Sequence, residues 1–126
     1  MNQSGLKRAL LVLEYLTGHP DGAGLTELCE ELALPKSIGH RLLALLIESG
    51  YAVQHSQSGR YGLTLKLTML GLRYYVRTGL DDLAQPILDQ LAKETGELAR
   101  LAVVEGERLV WVAKAQGARS GLRYDP

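Results

Sequence analysis

The chain has a single cysteine, Cys29, and that scarcity excludes both a disulfide framework and a cysteine-based zinc site. It fits a reducing compartment. Long apolar runs are also missing, because Lys66, Arg73, Arg77 and recurrent glycines interrupt every stretch before the roughly 18 residues a membrane span needs. Catalytic signatures are absent: there is no Gly-x-Ser-x-Gly elbow, no phosphate-binding glycine loop and no His-Glu-x-x-His run. His19, His40 and His55 fall on separate elements, and no spacing supplies the three or four convergent ligands of a metal site. Cys29, beside Leu28 and Leu32 on an apolar face, reads as an inert buried thiol. The expectation is a non-enzyme, with no catalytic residue, no cofactor and no metal.

Net charge is scarce as well. Across 126 residues, 14 Lys and Arg balance 14 Asp and Glu, which on its face speaks against a nucleic-acid partner. The distribution says otherwise. Residues 1–35 carry a net −3, residues 36–80 a net +5 from Lys36, Arg41, Arg60, Lys66, Arg73 and Arg77 against Glu48 alone, and residues 81–126 a net −2. A basic middle between acidic flanks suits one anion-facing surface; the alternative is charge clustering without function. The length allows one to one and a half small domains.

Helical periodicity begins after Ser4, a good N-cap, with Leu6, Ala9, Leu10, Leu13 and Leu16 on one stripe up to Gly18. This opening has Glu14 within its apolar part and no small-residue cleavage site, so it reads as a helix and not as a signal peptide. After His19-Pro20-Asp21-Gly22, Thr26 can cap a short helix with Leu28, Cys29 and Leu32 inward and Glu27, Glu30 and Glu31 outward. Ala33-Leu34 is a turn, and Pro35 suits the first position of a helix over 35–49 that Gly50 stops. Strands at 51–55 and 60–64 form a hairpin around Ser56-Gln57-Ser58-Gly59. Thr64 can cap a helix with Leu65, Met69, Leu72 and Val76 on one side, ending at Gly79. Asp81 or Asp82 opens another, with Leu83, Ile87, Leu88 and Leu91 as its apolar face and Gly96 at its end. Residues 98–104 and 107–114 read as strands turning at Glu105-Gly106, before a turn-rich tail over 115–126.

The fold class is therefore mainly α with small β: a winged helix-turn-helix domain over 4–64 (helix-turn-helix about 25–44, wing about 51–64), a linker helix over 65–79, and an incomplete α+β domain over 80–126. In this plan the second helix of the motif enters the major groove. On the 35–49 helix, Ser37, His40, Arg41, Ala44 and Glu48 share one face, with Leu42, Leu43 and Leu46 opposite. Lys36 and Arg41 can neutralise phosphates, while Ser37 and His40 can hydrogen-bond to base edges or backbone oxygens. The wing tip, 55–60, offers Gln57 and Arg60 to phosphate or the minor groove. A solvated helix face with incidental charges, and an idle exposed turn, are the alternatives. The expected DNA-binding set is thus Lys36, Ser37, His40, Arg41, Ala44, Gln57 and Arg60.

The run LTELCEELALPKSIGHRLLALLIESGYAV, followed by YGL at 61–63, resembles the DNA-binding domain of IclR-type bacterial transcriptional regulators. GLKRALLVLEYL is similar to that family's first helix, and DDLAQPILDQLAKETGELARLAVVEGERLVWVAK to the start of its effector-binding domain. The resemblance implies a cytoplasmic, dimeric regulator on double-stranded DNA with a palindromic operator, a linker helix that contributes to dimerisation, and a small-molecule effector sensed by a GAF-like domain. One helix and two strands cannot enclose such a ligand, so effector sensing is expected only in a full-length form, with Trp111, Leu101, Val103 and Val110 exposed or paired with another chain. The sequence also departs from the family pattern. Ala33 replaces the usual turn glycine, which is tolerable if its φ avoids strain; Gly39 should weaken its helix and leave a gap for Ile38; and Gly62 replaces a wing arginine. Leu45 and Ile47, apolar where polar residues are common, keep open the alternative of a winged-helix protein-protein interaction module without operator binding.

Overall fold

Ser4 turns the chain into its first helix: its hydroxyl accepts from the Lys7 N–H at 3.1 Å, and α1 (Gly5–Thr17) runs from there to Gly18. The structure is a computed structural model that describes residues 4–119 and divides into two units between Gly71 and Leu72. Its architecture is mixed, with five helices and two antiparallel two-stranded sheets among the described residues.

In the first unit, α2 (Leu25–Glu31) starts earlier than Thr26 would have it. Gly24 is the N-cap, in extended backbone, and its N–H donates to Glu27 Oε1 at 2.6 Å. Glu27, three residues into the helix, reaches back to the cap, so no capping hydroxyl is needed and Thr26 lies inside the first turn. The helix ends in a Schellman arrangement, with the Leu34 N–H on the Cys29 carbonyl at 2.9 Å and the Ala33 N–H on the Glu30 carbonyl at 3.3 Å. That geometry puts Ala33 at φ 53°, in the left-handed region where glycine belongs, so the condition on which alanine was tolerable here is not met.

Helix α3 (Lys36–Glu48) follows, with Pro35 as its N-cap and not its first helical residue: ψ at Pro35 is 143°, and its carbonyl accepts the Gly39 N–H at 3.0 Å. Gly50, at φ 85°, reverses the chain through a second Schellman closure, with the Tyr51 N–H on the Leu46 carbonyl at 2.8 Å. Leu42, Leu43 and Leu46 pack against Val12 and Leu16 of α1 and Leu28 and Cys29 of α2 to make the core. The gap expected at Gly39 does not exist. A Cβ there would overlap Cys29 Sγ and lie 3.5 Å from Leu25 Cδ1, so the thiol, and not Ile38, occupies the space.

The hairpin strands are shorter than the sequence suggests. β1 (Ala52–Gln54) pairs with β2 (Tyr61–Leu63) in the register Ala52↔Leu63, Val53↔Gly62 and Gln54↔Tyr61. Tyr61 also exchanges two backbone hydrogen bonds of 2.8 Å with Ala23, so the segment before α2 adds a one-residue third strand. Helix α4 (Lys66–Thr78) follows. The Thr64 hydroxyl accepts from the Lys66 N–H at 3.2 Å and donates to the Gly50 carbonyl at 2.6 Å. None of the α4 side chains is buried, and its Met69, Leu72 and Val76 are at least 58% exposed, with Leu65 just ahead of it at 74%.

In the second unit, α5 (Leu80–Thr95) opens at left-handed Gly79, slightly ahead of the aspartates. It lies on a hairpin of β3 (Leu98–Glu105) and β4 (Arg108–Gln116). The buried face of α5 is Ala84, Leu88 and Ala92, packed on Ala99, Leu101, Ala113 and Ala115. Of the expected face only Leu88 is buried; Leu83, Ile87 and Leu91 are exposed at 73%, 69% and 48%. Small residues on both sides bring helix and sheet together, which the larger stripe about a quarter-turn away could not do. Leu101 joins this core, correcting its expected exposure, whereas Trp111 and Val110 are exposed and Val103 is half-buried. A β-bulge at Val112 frees its carbonyl to accept the Tyr75 hydroxyl at 2.9 Å. The tail expected to be turn-rich from Ala115 still belongs to β4 through Gln116, and residues 120–126 lie outside the described residues.

Candidate nucleic-acid interface

The amphipathic division of α3 decides which side chains are offered. With Leu42, Leu43 and Leu46 turned inward, Lys36, Ser37, His40, Arg41, Ala44 and Glu48 are all exposed. The helix thus presents two cations, a hydroxyl, an imidazole and a methyl group within its first nine residues, and its acid, Glu48, lies at the far end. Arg60 pairs with Glu27, whereas neither Lys36 nor Arg41 forms an ion pair among the described residues. Leu45 and Ile47, 53% and 37% exposed, lie beside this face and have no partner within the core.

The cations of the basic middle differ in what they contact. Lys66 donates to the Ser49 carbonyl at 2.7 Å and lies 4.7 Å from the Tyr51 ring centroid, where its charge stabilises the C-terminus of α3. Arg73 and Arg77 are exposed on α4. Arg60 was expected at the anion-facing wing tip. Its Nη2 donates to the Gly22 carbonyl at 2.9 Å and pairs with Glu27 Oε1 at 3.0 Å, tying the base of the wing to the start of α2. Gln57, by contrast, is exposed in the wing loop. The structure therefore brings Lys36, Ser37, His40, Arg41 and Ala44 together on one face, leaves Gln57 exposed on the wing, and engages Arg60, its side chain still 43% exposed, in a contact with Gly22 and Glu27.

Packing around the wing constrains two glycines. Gly62 is buried beneath the His55 ring, whose Nε2 would lie 3.2 Å from a Cβ at that position. Gly22 has φ 89°, and a Cβ on it would come within 3.1 Å of Arg60 Cβ and the Tyr61 carbonyl. A side chain is therefore excluded from Gly22 by both backbone and space. Glu27, which sequence reasoning treated as a solvated acid, is the residue it missed. Its signal was present in the Gly24-Leu25-Thr26-Glu27 spacing, a capping box with glycine at the cap. The Gly24 N–H above all, with the Arg60 guanidinium adding to it, holds its carboxyl below the usual carboxylate range against the opposing effect of desolvation.

Burial pushes the Cys29 thiol up, with Lys36 only partly offsetting it. His19 stacks on Tyr15 at 4.2 Å and its Nδ1 contacts the Tyr15 carbonyl at 2.8 Å, beside Glu27, Glu30 and Glu31 in an acidic hollow of about 390 Å³. No helix among the described residues is long and apolar enough to cross a membrane.

Residues 5–56 match the family described as the IclR helix-turn-helix domain. The chain is 31% identical over 100 residues to the transcriptional repressor IclR of Escherichia coli K12, covering 79% of this chain and 36% of that protein. It is also 31% identical over 118 residues to the DNA-binding transcriptional repressor YiaJ of the same organism, covering 94% of this chain and 42% of that one. The crystal structure of an IclR family transcriptional regulator from Brucella abortus superposes with a TM-score of 0.81 at 26% identity, over 98% of this chain and 47% of that one. The chain thus spans about half or less of the length of the relatives it matches. Residues 5–56 are an IclR helix-turn-helix domain, and the homologues of this chain are IclR-family transcriptional regulators.

Proposed function

We propose that this chain is a sequence-specific, DNA-binding transcriptional regulator that reads the major groove with α3. The carrying observation is the exposed N-terminal half of α3, where Lys36 and Arg41 are unpaired beside Ser37, His40 and Ala44. Lys36 and Arg41 supply phosphate or guanine contacts, Ser37 and His40 hydrogen bonds, and Ala44 room for an apolar contact such as a thymine methyl. Gln57 reaches backbone or minor groove from the wing. Three of the similar proteins are repressors by name, which supports repression as the mode of action.

The proposed organisation is a DNA-binding domain over 4–64, a linker helix over 65–79 and an effector-sensing region over 80–126 that works with a small molecule only in a full-length form. A homodimer forms through the apolar stripe of Leu65, Met69, Leu72 and Val76, all solvent-exposed in the single chain, and meets a palindromic operator in the cytoplasm. In vitro selection of duplexes from a random pool by the purified protein tests this. Recovery of a palindromic motif supports the reading, and so does its loss with Lys36→Ala and Arg41→Ala together; a wild-type protein that recovers no motif refutes it. A second reading, a protein-binding winged helix, is favoured by exposed Leu45 and Ile47, and on it Leu45→Ser would abolish partner binding while leaving DNA affinity at background.

A further inference from the structure

We infer that Glu27 and Arg60 are positioning residues for DNA binding, fixing the wing to the first helix of the helix-turn-helix so that wing and α3 meet DNA in one fixed arrangement. The inference rests on the DNA-binding reading but concerns residues that touch no DNA in it. Arg60 closes the wing loop, its carbonyl accepting the His55 N–H at 2.8 Å, and the next residue, Tyr61, exchanges two backbone bonds with Ala23. Around that two-residue junction the guanidinium Nη2 donates to the Gly22 carbonyl at 2.9 Å and pairs with Glu27 Oε1 at 3.0 Å. The same carboxylate oxygen takes the Gly24 N–H at 2.6 Å. Glu27 thus holds the cap of α2 and the base of the wing with one oxygen. Gly22, which neither its φ nor the nearby Arg60 Cβ leaves free to carry a side chain, lets the two segments approach. The wing's two strands are three residues each and cannot fix its direction by themselves. The first wing strand is joined directly to the end of α3, with the Tyr51 N–H on the Leu46 carbonyl at 2.8 Å, and this junction ties the second strand to α2, which itself packs against α3.

Charge gives the inference a sign that a direct phosphate contact does not share. If Arg60 were a phosphate ligand, removing Glu27's charge would release it and tighten DNA binding. If the pair positions the wing, Glu27→Gln weakens binding although it removes a negative charge from a DNA-binding protein. Glutamine still caps the Gly24 N–H, so α2 stays intact.

The test uses a duplex recovered by the wild-type protein from a random pool, titrated by fluorescence anisotropy across a range of salt. Arg60→Ala is expected to weaken binding about two- to fivefold, the range of an exposed ion pair, with the salt slope unchanged. Glu27→Gln is expected to weaken it in the same direction, and the double variant no further than Arg60→Ala alone. A slope shallower by about 0.9 in Arg60→Ala identifies a phosphate contact and overturns the inference. Glu27→Gln binding as tightly as wild type, or more tightly, overturns it equally. Amide exchange in the free protein gives a second reading: Arg60→Ala should speed exchange at the Ala23 and Tyr61 N–H groups while Leu43 is unchanged, and unchanged exchange at all three contradicts the inference. A wild type that recovers no duplex would instead count against the DNA-binding reading, leaving the exchange experiment to judge the junction.

Discussion

Cys29 and Gly39 fill one space between α2 and α3, and neither residue is replaceable alone. Gly39→Ala gains about 0.5–1 kcal/mol of helix propensity, but its methyl group enters the volume of Cys29 Sγ in the core, where overpacking costs about 1–3 kcal/mol. The net expectation is a loss of about 1–2 kcal/mol. Cys29→Ala, which empties that volume at a residue 3% exposed, should cost a similar amount through lost contacts and a small cavity. Combined, the new methyl group occupies the space the sulfur leaves and α3 keeps its propensity gain, so the double variant should be more stable than either single one. The coupling expected is about 1–3 kcal/mol in the favourable direction. Denaturation should be followed through exchange at the Leu43 amide, because Trp111, the only tryptophan, reports on the second unit. Losses that add to within about 0.5 kcal/mol would show that the two side chains do not share the space, and would refute the packing described for the helix-turn-helix.

Further outcomes follow from the same structure. Ala33→Gly relieves a left-handed alanine at the end of α2, and after the entropy glycine adds to the unfolded chain it should raise stability by up to about 1 kcal/mol in urea denaturation. Lys66→Met should lower the stability of the first unit by about 0.5–1 kcal/mol by removing the cation from the Ser49 carbonyl, an effect that shrinks in high salt. Glu27 has a depressed folded pKa, so its contribution to stability is present above the ordinary carboxylate range and is lost as pH falls through the folded value; acid titration of Ala23 exchange should show this, and Glu27→Gln should abolish it. Leu88→Ala should cost about 2–4 kcal/mol in the second unit, measured by Trp111 fluorescence, while Ile87→Ala, at 69% exposure, should cost less than about 1 kcal/mol.

Local signals carried much of the fold. Ser4, Gly18 and Gly50 bound helices α1 and α3 where capping chemistry puts them, and the inward leucines of α3 follow from helical spacing alone. The α3 face was therefore legible. What escaped depends on distant partners. Thr26 lost the cap to Gly24 because Glu27 folds back, and the contact of Arg60 with Gly22 and Glu27 joins residues more than thirty apart in sequence. The face of α5 was misjudged for another reason. Hydrophobicity favours Leu83, Ile87 and Leu91, but close approach to β3 and β4 requires Ala84 and Ala92, and periodicity alone cannot choose between adjacent stripes. Ala33 stood out in the sequence where a turn glycine is usual, but its left-handed φ follows from the Schellman hydrogen bonds and not from the sequence.

The salt dependence of DNA affinity, compared between the wild-type protein and Arg41→Ala on a selected duplex, bears most directly on the claim that α3 is the recognition element. If Arg41 contacts phosphate, the log–log slope should become shallower by about 0.9 per protomer, with a uniform loss of affinity across sequences. If it contacts a base edge, the slope should hold and discrimination at one base pair should fall by about 1–3 kcal/mol. An Arg41→Ala protein with unchanged affinity, slope and base preference would contradict the account.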